Sequence, residues 1–220
     1  MKQLAMIVLA ASVALIGLVG CGEDGGPQQV AGVALSTGLD GTQVVPAVVT
    51  GAAGNFTGLI GEGQTAFNFQ LDYRDLSSEI TAATIQLARG GRGVNGPTAL
   101  YLCAISSFPR ASVTVPADTP NRVPSGTANC PTELDSSGKE VGARSGNVQG
   151  TVVSGNVQAA TAAQLVGSAA TSPAAAFSPN FGSGDIAFVI REIRNGNAYV
   201  LVRSQNFPAG EIRGQISAQQ

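Results

Sequence analysis

The stretch from Gly196 to Ile216, GNAYVLVRSQNFPAGEIRGQI, predicts two strands joined by a turn. Ala198 to Val202 is an uninterrupted run of apolar residues that favour β-structure. A break containing Pro208 and Gly210 follows, because both residue types favour turns. Polar and small apolar residues then alternate, so the stretch predicts a β-hairpin.

The alternation after the turn predicts which side chains of the last strand face water. Successive side chains of a strand point to opposite faces of the sheet. We expect the polar positions Glu211, Arg213 and Gln215 to face solvent. The core positions are then Ile212, Gly214 and Ile216.

The first 20 residues predict an export signal. A basic start at Lys2 is followed by an uncharged apolar run from Leu4 to Val19. This run is shorter than the roughly 20 apolar residues of a spanning helix. We expect residues 1–20 to be a lipoprotein signal peptide and residues 21–33 to be a flexible tether.

The end of that run, Leu18-Val19-Gly20-Cys21, resembles a bacterial lipobox, whose cysteine becomes the acylated first residue of the mature protein. Acyl chains hold a protein to a bilayer because each buried methylene contributes about 0.8 kcal/mol. We therefore expect lipidation at Cys21 and a place in the bacterial cell envelope. Since Gly22 rather than Asp follows the cysteine, the outer membrane is expected in a two-membrane cell. The alternative is an ordinary signal peptide with a nearby cysteine.

Composition favours one all-β domain. The chain has 29 Gly, 11 Pro and no Trp, which suits short strands joined by turns. About 200 residues follow the signal, enough for one core. A net charge of −2 and the absence of a Lys/Arg cluster argue against a nucleic-acid partner.

Cys103 and Cys130 remain after Cys21 is assigned to lipid. An even pair of cysteines in an exported chain predicts a disulfide. A redox-active or metal-bound pair is the alternative, although the chain has neither a C-x-x-C spacing nor any His.

Alternating and apolar runs predict the other strands. Within Gln64–Tyr73, residues such as Phe67 and Leu71 should face a core and Asn68 and Gln70 should face water. The predicted segments are Val30–Ser36, a Pro-interrupted edge segment Thr42–Thr50, Gly54–Ile60, Gln64–Tyr73, Glu79–Leu87, Thr98–Ile105 and Asn147–Val153.

Longer segments without predicted strands separate some of these elements. Residues 106–146 are long and polar, and we expect either a segment ordered by Cys130 or a mobile loop. A helical turn is predicted at Thr161–Leu165 and an Ala/Ser/Pro-rich connection at Ser168–Ser183.

The helix follows, because Asp185 can cap it and apolar residues recur at helical spacing before Asn195-Gly196. The spaced residues are Ile186, Val189, Ile190 and Ile193. We expect their face to lie on the sheet beside Tyr199 and Leu201.

The GNAYV and GEIRGQI segments resemble the C-terminal signature of the chordin-type (CHRD) domain. Residues 39–47 loosely match the family's opening phrase, and Thr81-Ala82-Ala83 with the Gly-rich segment 90–97 matches its middle phrase. The resemblance implies a domain over residues 34–218. It also implies an immunoglobulin-like or superoxide-dismutase-like antiparallel β-sandwich or barrel, with one short helix before the C-terminal strands.

Three histidines of the family pattern are absent. Thr84 and Gln86 stand at two of those positions, and Arg203 stands at the third. Because imidazole is the usual protein ligand of copper and zinc, the comparison with copper/zinc dismutases fails on chemistry. We therefore expect no catalytic, metal-binding or cofactor-binding residues.

Three other patterns have less specific interpretations. Asp72, Asp75 and Glu79 offer oxygen ligands for calcium, but a solvated turn is the simpler interpretation. Residues 91–96 match a dinucleotide fingerprint, although a β-rich run rather than a helix follows Pro97. The four arginines Arg191, Arg194, Arg203 and Arg213 should gather near the final strands as an anion-binding patch or a salt-bridged surface.

These observations favour a non-catalytic, lipid-anchored binding or structural module. Besides the membrane, an envelope protein or polysaccharide is the expected partner. A dismutase-like metalloenzyme and a solute- or polysaccharide-binding lipoprotein are the alternatives.

Overall fold

The computed structural model describes residues 32–88, 93–105, 127–153 and 185–219. The predicted signal peptide, Cys21 and most of the tether lie outside this part of the chain. The predicted helical turn at Thr161–Leu165 and the connection Ser168–Ser183 also lie outside it.

The described residues form twelve β-strands, a 3₁₀ turn at Gly41–Gln43 and one α-helix, α1, at Ile186–Arg194. The strands are β1 (Val33–Asp40), β2 (Ala53–Ile60), β3 (Ala66–Arg74), β4 (Ile80–Leu87), β5 (Thr98–Ala104), β6 (Ala128–Asn129), β7 (Thr132–Leu134), β8 (Glu140–Gly142), β9 (Gly146–Val153), β10 (Ala198–Ser204), β11 (Ile212–Gln215) and β12 (Ser217–Gln219).

Ten of these strands form one sheet. Nine follow in the order β6-β5-β4-β10-β11-β1-β2-β3-β9, and β12 pairs with β1 beside β11. The pairings are antiparallel except for that of β5 with β6. The sheet curls into a nearly closed barrel, which brings β5, near one end of the strand order, into contact with β9 at the other end. The predicted all-β fold with one helix before the C-terminal strands is confirmed.

The core fills the concave side of the sheet, and β3 follows the predicted alternation. Phe67, Phe69 and Leu71 are buried, whereas Asn68 and Gln70 are exposed. Each large apolar side chain removed from water stabilises the fold by roughly 1.5–3 kcal/mol. The predicted strands 54–60, 64–73, 79–87, 98–105 and 147–153 are confirmed within one or two residues at each end.

Helix α1 begins and ends as predicted, but the sheet face that it contacts differs from the prediction. The Asp185 carboxylate accepts a hydrogen bond from Phe188 N at 2.9 Å, and Gly196 follows the helix with φ +72°. The apolar residues of the helix lie in one cluster with Val200 and Val202. The prediction that the helix packs beside Tyr199 and Leu201 is wrong. Alternation along β10 places those two side chains on the opposite face of the sheet.

The first strand starts and ends later than predicted, and Thr42–Thr50 contains no strand. Asp40, the last residue of β1, accepts hydrogen bonds from Thr42 N and Gln43 N and so begins the 3₁₀ turn. Hydrogen bonds from the side chains of Thr42 and Gln43 lower the pKa of the Asp40 carboxyl. The hydrogen bonds to the Asp40 side chain thus end the extended backbone of β1 at this residue. The apolar residues that follow would by themselves predict a continued strand.

The described part of the polar insertion is ordered around Cys130. Its sulfur is bonded to Cys103 at 2.12 Å, and Cys130 N donates to Ala104 O at 3.2 Å. Strands β7 and β8 form a separate hairpin directly after this disulfide. The predicted Cys103–Cys130 disulfide is confirmed.

The single α-helix within residues 32–88, 93–105, 127–153 and 185–219 is too short to cross a bilayer.

We predict that the double variant Cys103→Ala/Cys130→Ala loses about 3–4 kcal/mol of unfolding free energy, because the disulfide closes a loop of 27 residues. Urea unfolding followed by circular dichroism measures this loss. A midpoint equal to that of the unsubstituted protein, or free thiols found by mass spectrometry after export, would contradict the prediction.

Candidate functional site

The predicted polar positions at the start of β11 and along it are withdrawn from solvent. Glu211 is fully buried and Arg213 is only 2% exposed, while Gln215 is half-buried. The prediction that these three residues face solvent is wrong. The core positions Ile212 and Ile216 do lie in the main core, as predicted.

The reason is that irregular segments cover the outer face of the sheet, on the side away from the main core. Asn95 Nδ2 donates to Val45 O at 2.8 Å, and Gly96 N donates to the Tyr199 hydroxyl at 2.9 Å. The segment 93–96 therefore lies across β10 and β11. Alternation predicts the side of a strand to which a residue points, but it does not predict what covers that side.

The central charge of this face is the guanidinium of Arg213. It lies 3.6 Å above the Tyr199 ring centroid, and its Nη2 and Nη1 atoms donate to Val94 O at 2.9 Å and to Asn95 Oδ1 at 3.3 Å. Burial lowers the pKa of Arg213. The site therefore holds a cation by an aromatic face and neutral oxygens.

A second cation, Arg203, lies on the same face. When the Gln86 amide is assigned the orientation in which its oxygen faces donors and its nitrogen faces acceptors, the oxygen accepts from Arg203 Nη2 at 2.7 Å and the nitrogen donates to Gly96 O and to the Tyr199 hydroxyl. Burial raises the pKa of the Tyr101 and Tyr199 hydroxyls, and the charge of Arg203 opposes the rise in both. The ion pairs between described residues are Arg74–Asp75 and Arg191–Glu192, so neither Arg203 nor Arg213 has a carboxylate within 4 Å in that part of the chain.

The three positions at which the family pattern has histidines lie on this face. Thr84 Oγ1 donates to Leu201 O at 3.4 Å. In the pairing of β4 with β10, the Thr84–Leu201 pair lies between the Gln86–Tyr199 pair and the Ala82–Arg203 pair. We name the six residues Thr84, Gln86, Tyr199, Arg203, Arg213 and Gln215 the outer polar layer. The contact between Arg203 and Gln86 therefore brings a positive charge to the face on which these three positions lie.

Glu211 lies at the end of this face and joins separate segments. Its carboxylate accepts hydrogen bonds from Thr50 Oγ1 at 2.8 Å, from Ser77 N at 2.8 Å and from Ser204 Oγ. These partners lie before β2, between β3 and β4, and at the end of β10. Three donors thus compensate the buried carboxylate without a cation.

A cavity of about 300 Å³ opens beside Arg213. Its described lining is Thr42, Gln43, Val45, Gly93, Arg213 and Gln215. A second cavity of about 390 Å³ lies between the disulfide and the β7–β8 hairpin. Only the first adjoins the outer polar layer.

The acidic cluster considered for calcium is engaged in ordinary surface contacts. Asp72 accepts from the side chains of Asn147 and Gln70, and Asp75 lies 3.8 Å from Arg74. Among the described residues, no three acidic or cysteine side chains are grouped as a metal site.

Two further sequence patterns are resolved by the structure. The described part of the dinucleotide-like letters, 93–96, leads into β5 and not into a helix. The four arginines do not gather: Arg191 is exposed on α1 and lies over the Phe188 ring at 4.8 Å, and α1 packs on the core face. That prediction is wrong for the two helical arginines.

A family model of the CHRD domain matches residues 35–216. Since this match covers most of the chain, the protein belongs to the CHRD domain family. The family consists of binding or structural modules and is not known as enzymatic. No curated protein and no solved structure matches the chain significantly.

Sequence reasoning missed Tyr199, Tyr101, Asn95 and Gln43 as parts of the site. The one available signal was the Gly-rich connection 90–97, which follows a strand now known to lie in the middle of the sheet. The structure shows that segment 93–96 of this connection packs over β10 and β11, and the polar residues beneath it are buried.

We predict that Glu211→Ala lowers the free energy of unfolding by about 3 kcal/mol, because three donors lose their buried acceptor. Glu211→Gln should lose less, since the amide keeps one acceptor oxygen. The control Glu62→Ala, on the exposed turn between β2 and β3, should change stability by less than about 0.5 kcal/mol. Urea unfolding of the three variants checks this, and equal midpoints for Glu211→Ala and Glu62→Ala would refute it.

Proposed function

We propose that the protein is a non-catalytic, lipid-anchored binding or structural module of the bacterial cell envelope. The main support is the contact between Gln86 and Arg203, which puts a positive charge where the family pattern has imidazoles and so disfavours a metal centre. Membership of the CHRD family supports a binding or structural module. The lipobox-like sequence ending at Cys21 supports lipid anchoring in the cell envelope.

The chemistry of the outer polar layer argues against copper or zinc at this site. Thr84 and Gln86 offer neutral oxygens, which bind these metals weakly. The guanidinium of Arg203 occupies the space in front of Gln86 and would repel a metal ion. A dismutase-like reaction also needs imidazole ligands, and the chain has no His.

A second candidate function is solute or polysaccharide binding by a tethered lipoprotein. The observation that favours it is the cavity beside Arg213, whose volume lies at the lower end of the range for small-ligand sites. The chain contains no Trp and only three Tyr, so stacking of sugars on aromatic side chains would contribute little.

We predict that Cys21→Ser moves the protein from the membrane fraction to the soluble fraction, or stalls it as an uncleaved precursor, because the thiol accepts the lipid. Gly22→Ala is the matched control, since it alters the neighbouring residue and keeps the thiol. Detergent partitioning and the mass of the N-terminal peptide measure the outcome. Unchanged partitioning of Cys21→Ser would rule out lipidation at this residue.

We also predict that the purified protein, after exposure to copper or zinc and dialysis, retains no stoichiometric metal and consumes no superoxide. The reason is the absence of imidazole and the charge of Arg203. Elemental analysis and a dismutase assay test this, with a copper/zinc dismutase as positive control. If the protein retains about one equivalent of copper or zinc, and superoxide consumption rises with the metal content, the dismutase-like enzyme is the correct interpretation and our proposal is wrong.

A further inference from the structure

The outer face of β2, β3 and β9 carries a regular array of polar side chains. Strand β3 pairs with β2 on one side and with β9 on the other, and neither pairing has a register shift. Alternate residues of the three strands therefore stand in rows on one face. All members of these rows are exposed, so a ligand can reach them. We name the following residues the amide–hydroxyl face: Asn55, Thr57, Asn68, Gln70, Asp72, Asn147, Gln149 and Thr151.

Hydrogen bonds between side chains hold part of this face in place. The Asp72 carboxylate accepts from Asn147 Nδ2 on the next strand and from Gln70 Nε2 at 3.1 Å. Thr151 Oγ1 donates to Asn68 Oδ1 at 2.7 Å. Side chains that are already held by such contacts lose less conformational freedom when a ligand binds. The face is therefore partly ordered in advance.

Other members of the face keep their hydrogen-bonding capacity for a ligand. The side chains of Asn55, Thr57 and Gln149 have no hydrogen-bond partner among the described residues. An amide and a hydroxyl each offer both a donor and an acceptor. Thr57 and Gln149 lie on either side of Gln70 in one row that crosses the three strands. The row thus presents donors and acceptors at the spacing of neighbouring strands, roughly 4.8 Å.

The amide–hydroxyl face is nearly uncharged. Asp72 is its only ionisable member, and two amide donors compensate that carboxylate. Arg74, the next residue of β3 on this side, lies 3.8 Å from Asp75. Exposed surfaces usually carry charged residues of both signs at about a quarter to a third of their positions. With no cation among its members, the face favours an uncharged partner over a nucleic acid or an acidic polymer.

Large apolar side chains are also scarce on this face. Protein interfaces depend on a few aromatic or large apolar residues that become fully buried. None of the members of the face is aromatic, and the exposed Leu59 and Val153 lie at one end of it. A protein partner or a bilayer would therefore bury little apolar area here. Neutral donors and acceptors match a ligand that consists of the same groups.

The open form of the face favours a polymer over a single small molecule. One exposed neutral hydrogen bond changes a binding constant only about two- to ten-fold. A single sugar ring that makes two or three such bonds does not compensate for the freedom that it loses on binding. A polymer that crosses several strands makes many of them along one chain, and the contributions multiply.

We propose that the amide–hydroxyl face binds an uncharged polysaccharide. Hydroxyls of successive sugar units donate to and accept from the side chains of the rows, and aromatic stacking takes no part. This mode of binding is compatible with a chain that contains no Trp. The inference rests on the proposed binding function, and it names the surface and the ligand class.

Affinity electrophoresis of the full chain in a mild detergent tests the proposal. The probes are two uncharged polymers, hydroxyethylcellulose and glycol chitin, cast into native gels. We expect at least one of them to slow the protein increasingly as its concentration rises. Carboxymethylcellulose has the same backbone as hydroxyethylcellulose but carries carboxylates, and it should bind at least ten-fold more weakly because the face has no cation to pair with them. Free glucose at about 50 mM should not release the protein.

Two double variants separate this face from the rest of the surface. Thr57→Val/Gln149→Ala removes hydrogen-bonding groups from one row, and the apparent dissociation constant should rise at least ten-fold. Thr132→Val/Gln205→Ala makes the same changes at exposed positions outside the face, on β7 and after β10, and should leave binding unchanged. Because all four side chains are exposed, both variants should keep the circular dichroism spectrum of the unsubstituted protein.

Three results would overturn the proposal. These are unchanged mobility with both uncharged polymers, equal or stronger binding of carboxymethylcellulose, and equal affinities of the two double variants. If the face variant instead loses a cross-link to an envelope protein while no polymer slows the unsubstituted chain, the face is a protein-docking surface and the proposal is wrong. Anchoring and metal content are measured separately, so each result leaves the proposed envelope module to its own tests.

Discussion

The buried carboxylate of Glu211 is the contact on which the arrangement of the outer face depends. It accepts hydrogen bonds from Thr50, Ser77 and Ser204, three residues that are far apart in the chain. A carboxylate taken out of water needs donors of this kind, since its hydration is lost. The loops before β2 and between β3 and β4 are therefore held against the C-terminal hairpin.

The position of Arg213 follows from that of Glu211, because two residues along a strand return to the same face. The guanidinium then lies under segment 93–96 and over the Tyr199 ring. The acidic Glu211 and the basic Arg213 are thus buried separately, each among neutral partners. The nearly closed barrel supplies the framework, while the side chains of the outer polar layer decide which chemistry the face can support.

Local patterns predicted the fold well, because strand alternation and helix caps are encoded by neighbouring residues. The alternation of β3 and the cap at Asp185 are examples. The Cys103–Cys130 pair was predictable by counting thiols once Cys21 was set aside. The β1 boundary was missed because the side chain of Asp40 turns back on the next two amides.

The site was harder to predict, because its burial depends on residues distant in sequence. Glu211 and Arg213 have the spacing of a solvent-facing row, and only the segments packed over them change that environment. The helix was placed on the wrong face of β10 for a related reason. An apolar run such as Ala198–Val202 is buried on both sides, so its composition does not distinguish the core face from the outer one.

The parallel pairing of β6 with β5 matters beyond the stability that its disulfide supplies. An uncovered strand edge offers backbone N–H and C=O groups to a strand of another molecule. A two-residue strand fixed at Cys130 covers part of the edge of β5, so fewer backbone groups of that edge are open to a strand of another molecule.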